Sequence, residues 1–199
     1  MIKTTLEHYK NHWLFLLASL LIFCATASQA APLRTVTATI TRITDGDTVQ
    51  AVTPEGTKLK VRLYGIDAPE TAKGKTPGET FGSDARHYLA SLVGQKAVQV
   101  EIRDIDRYRR MVAIIWLNER NVNLEMISAG MAEAYGEYLK PPYRTPFLQA
   151  EQAAKAQGKG IWSQGNTYER PSHFRRRIRT ESSSARYDMR LVNSLVNSE

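Results

Sequence analysis

The stretch ITDGDTV, residues 43–49, sets Asp45 and Asp47 on either side of a glycine, between two runs that alternate as strands do. Taken alone, such a triplet is turn chemistry more often than a pair of metal ligands. A second stretch, VRLYGIDAPET, carries Arg62 on the polar face of a strand and places Asp67 and Glu70 where the alternation breaks off. A third, DRYRRMVA, brings Arg110 to the start of another strand. Four carboxylates in a small volume repel one another unless a cation neutralises them, and a site of oxygen donors favours a hard ion, Ca²⁺ or Mg²⁺. Carboxylates with two arginines are also what hydrolysis of a phosphodiester requires. A divalent cation neutralises the phosphate, a carboxylate accepts a proton from water, and guanidinium forks stabilise the anionic transition state. The plainer reading of the same residues is a polar turn and ordinary surface acids.

Strands must bring these side chains together. In RTVTATIT, Val36, Ala38 and Ile40 share one face and threonines the other. TVQAVTPEGTKLKVRLYGI reads as two strands about a turn at Pro54, Glu55 and Gly56, with Leu59, Val61 and Leu63 facing inward. If the turn centres near Glu55 and Gly56, facing residues have numbers summing to about 111, which sets Asp47 opposite Tyr64 and close to Arg62 and Asp67. A loop rich in Lys, Gly and Pro follows. Ala85, Tyr88, Leu89, Leu92 and Val93 then recur at helical spacing, closed by Gly94. AVQVEIR and MVAIIWL read as two more strands. Leu124, Ile127, Met131, Ala134 and Tyr135 form one helical stripe, and Phe147, Ala150 and Ala154 another. The sum is an α+β domain, a small OB-type Greek-key barrel with helices packed on it.

The ends differ in character. Lys3 and Lys10, an apolar run from Trp13 to Ala27 and small residues up to Ala30 read as a signal peptide over residues 1–30. The domain then occupies 31–165, and 166–199 reads as a basic, polar tail, largely disordered. The 199-residue chain carries 27 Lys and Arg against 20 Asp and Glu. Without Lys3, Lys10 and Glu7, 25 basic and 19 acidic side chains remain, and Cys24, the one cysteine, goes with the leader. An exported chain without disulfides needs a true hydrophobic core. Its positive charge suits a polyanion: nucleic acid, an anionic membrane surface or an acidic glycan. His87 and His173 stand alone after the leader, so no zinc site is expected.

Taken in order, DGDTV, RLYGIDAPET, DRYxR and IWS resemble the staphylococcal nuclease (thermonuclease) family from Arg34 to Ser163. The resemblance implies a five-stranded OB-type Greek-key β-barrel with three packed α-helices. It implies a monomeric, secreted, calcium-dependent nuclease of DNA and RNA whose products carry a 3′-phosphate, with no stable membrane association after signal cleavage. Its calcium ligands fall on Asp47, Asp67 and the main-chain carbonyl of Ala68, where the family often has threonine, with Asp45 just behind them. Glu70 matches the general base, and Arg62 and Arg110 match the phosphate-binding arginines. Arg109 stands where the family usually has glycine. Tyr138 matches the family's nucleotide-contacting tyrosine segment, and Lys73 lies in the loop beside the site, which reads either as a surface connection or as a substrate contact.

Overall fold

The computed structural model describes residues 32–74 and 76–196, with side chains up to Ser184; the expected signal peptide lies outside them. Among the described residues, no helix is long and apolar enough to cross a membrane.

In chain order, the strands are β1 (Arg34–Asp45), β2 (Thr48–Val52), β3 (Lys58–Leu63), β4 (Ile66–Asp67), β5 (Ala97–Ile105), β6 (Met111–Leu117), β7 (Arg120–Asn121) and β8 (Glu133–Ala134). Helix α1 (Gly82–Val93) lies between β4 and β5, α2 (Val122–Ser128) follows β7, and α3 (Arg144–Ala156) leads into a 3₁₀ segment, Gly160–Thr167. Helix α4 spans Pro171–Val196. The main sheet runs β3-β2-β1-β5-β6-β7, and a further parallel pairing of β3 with β6 joins its ends into the expected five-stranded barrel.

Strand β1 makes that closure possible. Its first half pairs with β5 and its second half with β2, with register shifts after Ile40 and Ile43 that bend it around the barrel. The β2–β3 hairpin pairs Thr48 with Arg62, one residue from the register read off the sequence. Alternation delivers the core: Ile40, Val49, Val61, Leu63, Val100 and Ile115 are fully buried, together with Leu89 of α1, Met126 and Ile127 of α2 and Phe147 of α3.

A fully buried polar side chain, Asn123, lies at the seam. Asn123 donates to the carbonyls of Tyr64 (3.0 Å) and Ala113 (3.1 Å) and accepts from the N–H of Ile115 (3.0 Å). It thereby ties the end of β3 to β6 and to the first turn of α2. A buried amide with all these partners is stabilising only as a complete set.

Two expectations are corrected. The stripe from Leu124 to Tyr135 is not one helix: α2 stops at Ser128, Gly130 takes the left-handed conformation (φ 68°), and Glu133–Ala134 pair as a strand with β4. The tail expected to be disordered is helical from Pro171, a residue suited to the first helical position, and buries Phe174.

Replacing Asn123 with alanine leaves the Ile115 N–H and the Tyr64 carbonyl without their partner. We expect a loss of at least about 2 kcal/mol in urea unfolding, with leucine at this position no better.

Candidate active site

The acids of the first and second motifs meet at one end of the barrel. Asp45 closes β1 and Asp47 precedes β2. Gly46, between them, packs so tightly that a Cβ there would fall 2.7 Å from the Cβ of Ala85 and 2.8 Å from that of Ala68. The glycine is needed for this close approach, which presses the turn against α1 and against the residue following Asp67. Arg62, on β3, pairs with the Asp47 carboxylate and donates to Asp67 Oδ1 at 2.9 Å. The Ala68 N–H donates to Asp47 Oδ2 at 3.2 Å. Asp47 and Asp67, both buried, are therefore one guanidinium apart.

The remaining charges extend this pair into an alternating row. Asp45 accepts from the Thr71 hydroxyl and from Lys73 Nζ at 2.6 Å, and Lys73 also reaches Glu70 Oε2 at 3.3 Å. Glu70 Oε1 accepts from Arg175 at 3.1 Å, and the same guanidinium donates to both oxygens of Asp67, at 3.0 and 2.7 Å. The order is Asp45, Lys73, Glu70, Arg175, Asp67, Arg62, Asp47: four acids and three cations, with an acid at each end. Burial holds the Arg62 guanidinium below its usual range; Asp67 opposes the shift, while the nearby charges of Arg175 and Arg110 add to it. For Arg175, burial works against the charge, but the hydrogen bond and charge of Asp67, followed by Glu70, outweigh it and raise its pKa.

The other expected residues are placed less uniformly. Arg110 lies just before β6, where its Nε donates to Asp106 Oδ2 at 2.7 Å, close enough to Arg62 for the charges to interact. Arg109 sits at φ 60°, the left-handed region that favours glycine, and its N–H closes a turn on the Asp106 carbonyl at 2.8 Å. Lys73 is engaged by Asp45 and Glu70 rather than extended toward a substrate. Tyr138 is exposed, its ring 4.7 Å from that of Tyr135, and its carbonyl accepts from the Tyr64 hydroxyl at 2.8 Å.

Three contributions had no counterpart in the sequence reading. Arg175 falls in the basic tail expected to be disordered. Glu133, buried on β8 directly across from Asp67, accepts from both Nε and Nη2 of Arg170 and from the Tyr168 hydroxyl at 3.0 Å. Glu79 accepts the Glu70 N–H at 2.9 Å and returns its own N–H to the Glu70 carbonyl at 2.9 Å, which fixes the start of the loop. The only local signals were Pro171 with Phe174 and Ile178 at helical spacing and the glutamate nine residues after Glu70.

Among the described residues, no three His, Cys, Asp or Glu side chains converge as a metal cage. The expected ligand set does not call for one. Two buried carboxylates one guanidinium apart and a main-chain oxygen are all hard donors, and they fit Ca²⁺ or Mg²⁺.

A closed barrel bearing acids and arginines at one end has the architecture and the chemistry of a phosphodiesterase. Residues 60–164 match the family described as Staphylococcal nuclease homologue. The chain is 38% identical over 166 residues to an uncharacterized endonuclease of Haemophilus influenzae, covering 83% of this chain and 86% of that one. It is 36% identical over 146 residues to a micrococcal nuclease of Shigella flexneri, covering 69% and 79%, and 31% identical over 128 residues to a thermonuclease of Staphylococcus hyicus, covering 62% and 74%. The chain belongs to the staphylococcal nuclease family and is a nuclease, a hydrolase of phosphodiester bonds.

Two predictions follow from this geometry. Glycine at position 109 relieves the left-handed strain, so Arg109→Gly should gain up to about 1 kcal/mol in denaturant unfolding and keep nuclease activity within about threefold. For Glu79, burial raises the carboxyl to about 7 from its usual 4.5, with the Glu70 charge adding to the shift. The folded form thus holds the proton more tightly than the unfolded one. That contribution to stability is complete below about 4.5 and is lost as pH rises through about 7. Thermal midpoints of the wild type should fall, relative to Glu79→Gln, over this window; parallel curves would contradict the assignment.

Proposed function

We propose that this chain is an exported, Ca²⁺-dependent nuclease that hydrolyses DNA and RNA with little sequence preference and leaves 3′-phosphate ends. The observation that carries the reading is the pairing of Asp47 and Asp67 through Arg62, with Glu70 on the same row of charges. Asp47, Asp67 and the Ala68 carbonyl would hold Ca²⁺, which would neutralise charge on the phosphate. Asp45, held by Thr71 and Lys73, keeps the turn in place behind them.

Glu70 accepts the proton of the attacking water. Arg62, braced on both ligand carboxylates, presents its guanidinium to the phosphodiester, and Arg110, braced by Asp106, presents another from the turn before β6. Such donors act most strongly where negative charge grows in the transition state. The exposed ring of Tyr138 offers a face for a nucleotide. Export rests on the order of charge, apolar run and small residues in 1–30, and the basic excess that remains suits a phosphate backbone.

The test is incubation of the chain lacking residues 1–30 with plasmid DNA and with RNA, in Ca²⁺, in Mg²⁺ and in chelator. Cleavage of both substrates in Ca²⁺, poor cleavage in Mg²⁺ and none in chelator are expected, because the smaller ion demands a near-ideal octahedron that a partly main-chain site meets badly. Glu70→Gln should lower turnover by roughly 10² or more with little change in substrate affinity. Equal rates in the two metals, or a fully active Glu70→Gln, would remove the corresponding assignment.

A further inference from the structure

Helix α4 meets the barrel through its first two turns. Pro171 and Phe174 are buried, Arg170 grips Glu133 through three hydrogen bonds of 2.9 to 3.1 Å, and Tyr168 adds a fourth. Glu133 faces Asp67 across the β8–β4 pair, so this anchor lies directly beside the carboxylate on which Arg175 closes. Further along, Arg177 pairs with Glu169 and Glu181, and residues 179–184 are exposed.

The position of Arg175 is therefore built by the fold. Its guanidinium takes both oxygens of Asp67 and one oxygen of Glu70, whose other oxygen is held by Lys73. A cation coordinating Asp67 uses the same lone pairs, and two positive groups on one carboxylate repel. Glu70, with both oxygens engaged, also has none free to meet an attacking water.

We infer that Arg175 and a divalent cation are alternative occupants of Asp67 and Glu70, so that the start of α4 is an intramolecular inhibitory strap which metal binding displaces. The inference rests on the calcium reading given above. The row of charges makes the exchange balanced: with Arg175 withdrawn, four acids face Lys73 and Arg62 alone, an excess of two negative charges that one divalent cation cancels. The strap is short, since Phe174 and the Arg170–Glu133 pair hold it while residues 179–184 are exposed.

The test is calorimetric titration of Ca²⁺ into the wild type, Arg175→Gln and Asp47→Ala, with amide hydrogen exchange of residues 171–184 followed in the wild type. Arg175→Gln should bind Ca²⁺ at least about tenfold more tightly, the change expected for loss of a competing charge-assisted hydrogen bond. Saturating Ca²⁺ should speed exchange in the first two turns of α4 in the wild type. Equal affinities of the wild type and Arg175→Gln, or exchange unaffected by Ca²⁺, would overturn the strap while leaving the calcium site intact. Absence of Ca²⁺ binding in both, or undiminished binding by Asp47→Ala, would overturn the calcium reading and the strap with it.

Discussion

A buried carboxylate is tolerated only beside a cation or a full set of donors, and Asp67 is the most demanding case in this protein. It has no exposed surface, and two guanidinium groups converge on it from opposite sides of the chain, Arg62 from β3 and Arg175 from α4. Much else is arranged around this requirement. The β4–β8 pair places Asp67 at the rim, Gly46 lets the first acidic turn press against its neighbour, and the mutual hydrogen bonds of Glu70 and Glu79 hold the third acid within reach. Each acid in the row shares its cation with the next, so the electrostatics of the site belong to the row as a whole.

The same sharing explains why the site is polar without being loose. Every charged side chain in the row is oriented by at least one neighbour, and each guanidinium group is shared by two carboxylates. A site held this way has its carboxylates and guanidinium groups fixed in place before a phosphodiester arrives.

The parts legible in the sequence are those written in local periodicity. Alternation marked β1, β2, β3 and β5, and counting across the Pro54–Gly56 turn placed Asp47 near Arg62 and Asp67 to within one residue of the observed register. The parts not legible depend on partners far apart in the chain. Arg170 and Arg175 look like a solvated basic run because nothing near them reveals that Glu133 and Asp67, 37 and 108 residues earlier, are buried acids awaiting them. The end of α2 was misread for a related reason: Met131, Ala134 and Tyr135 fit a helical stripe, but Gly130 turns the backbone and Asp67 recruits the following residues into a strand pair. Arg109 lay between the two cases. Its position was recognisable as a glycine's, and the backbone keeps the conformation a glycine would have taken.

The parallel seam between β3 and β6 has a consequence for the order of events in the life of the chain. Arg62 pairs in register with Val112, and Arg110 lies at the entrance of the same strand, so the two arginines share a rim only after some fifty residues have been gathered between them and the loop has been closed. Contacts of such long range form late in folding. A nascent chain thus carries all the residues of a nuclease before it has the juxtaposition that makes it one.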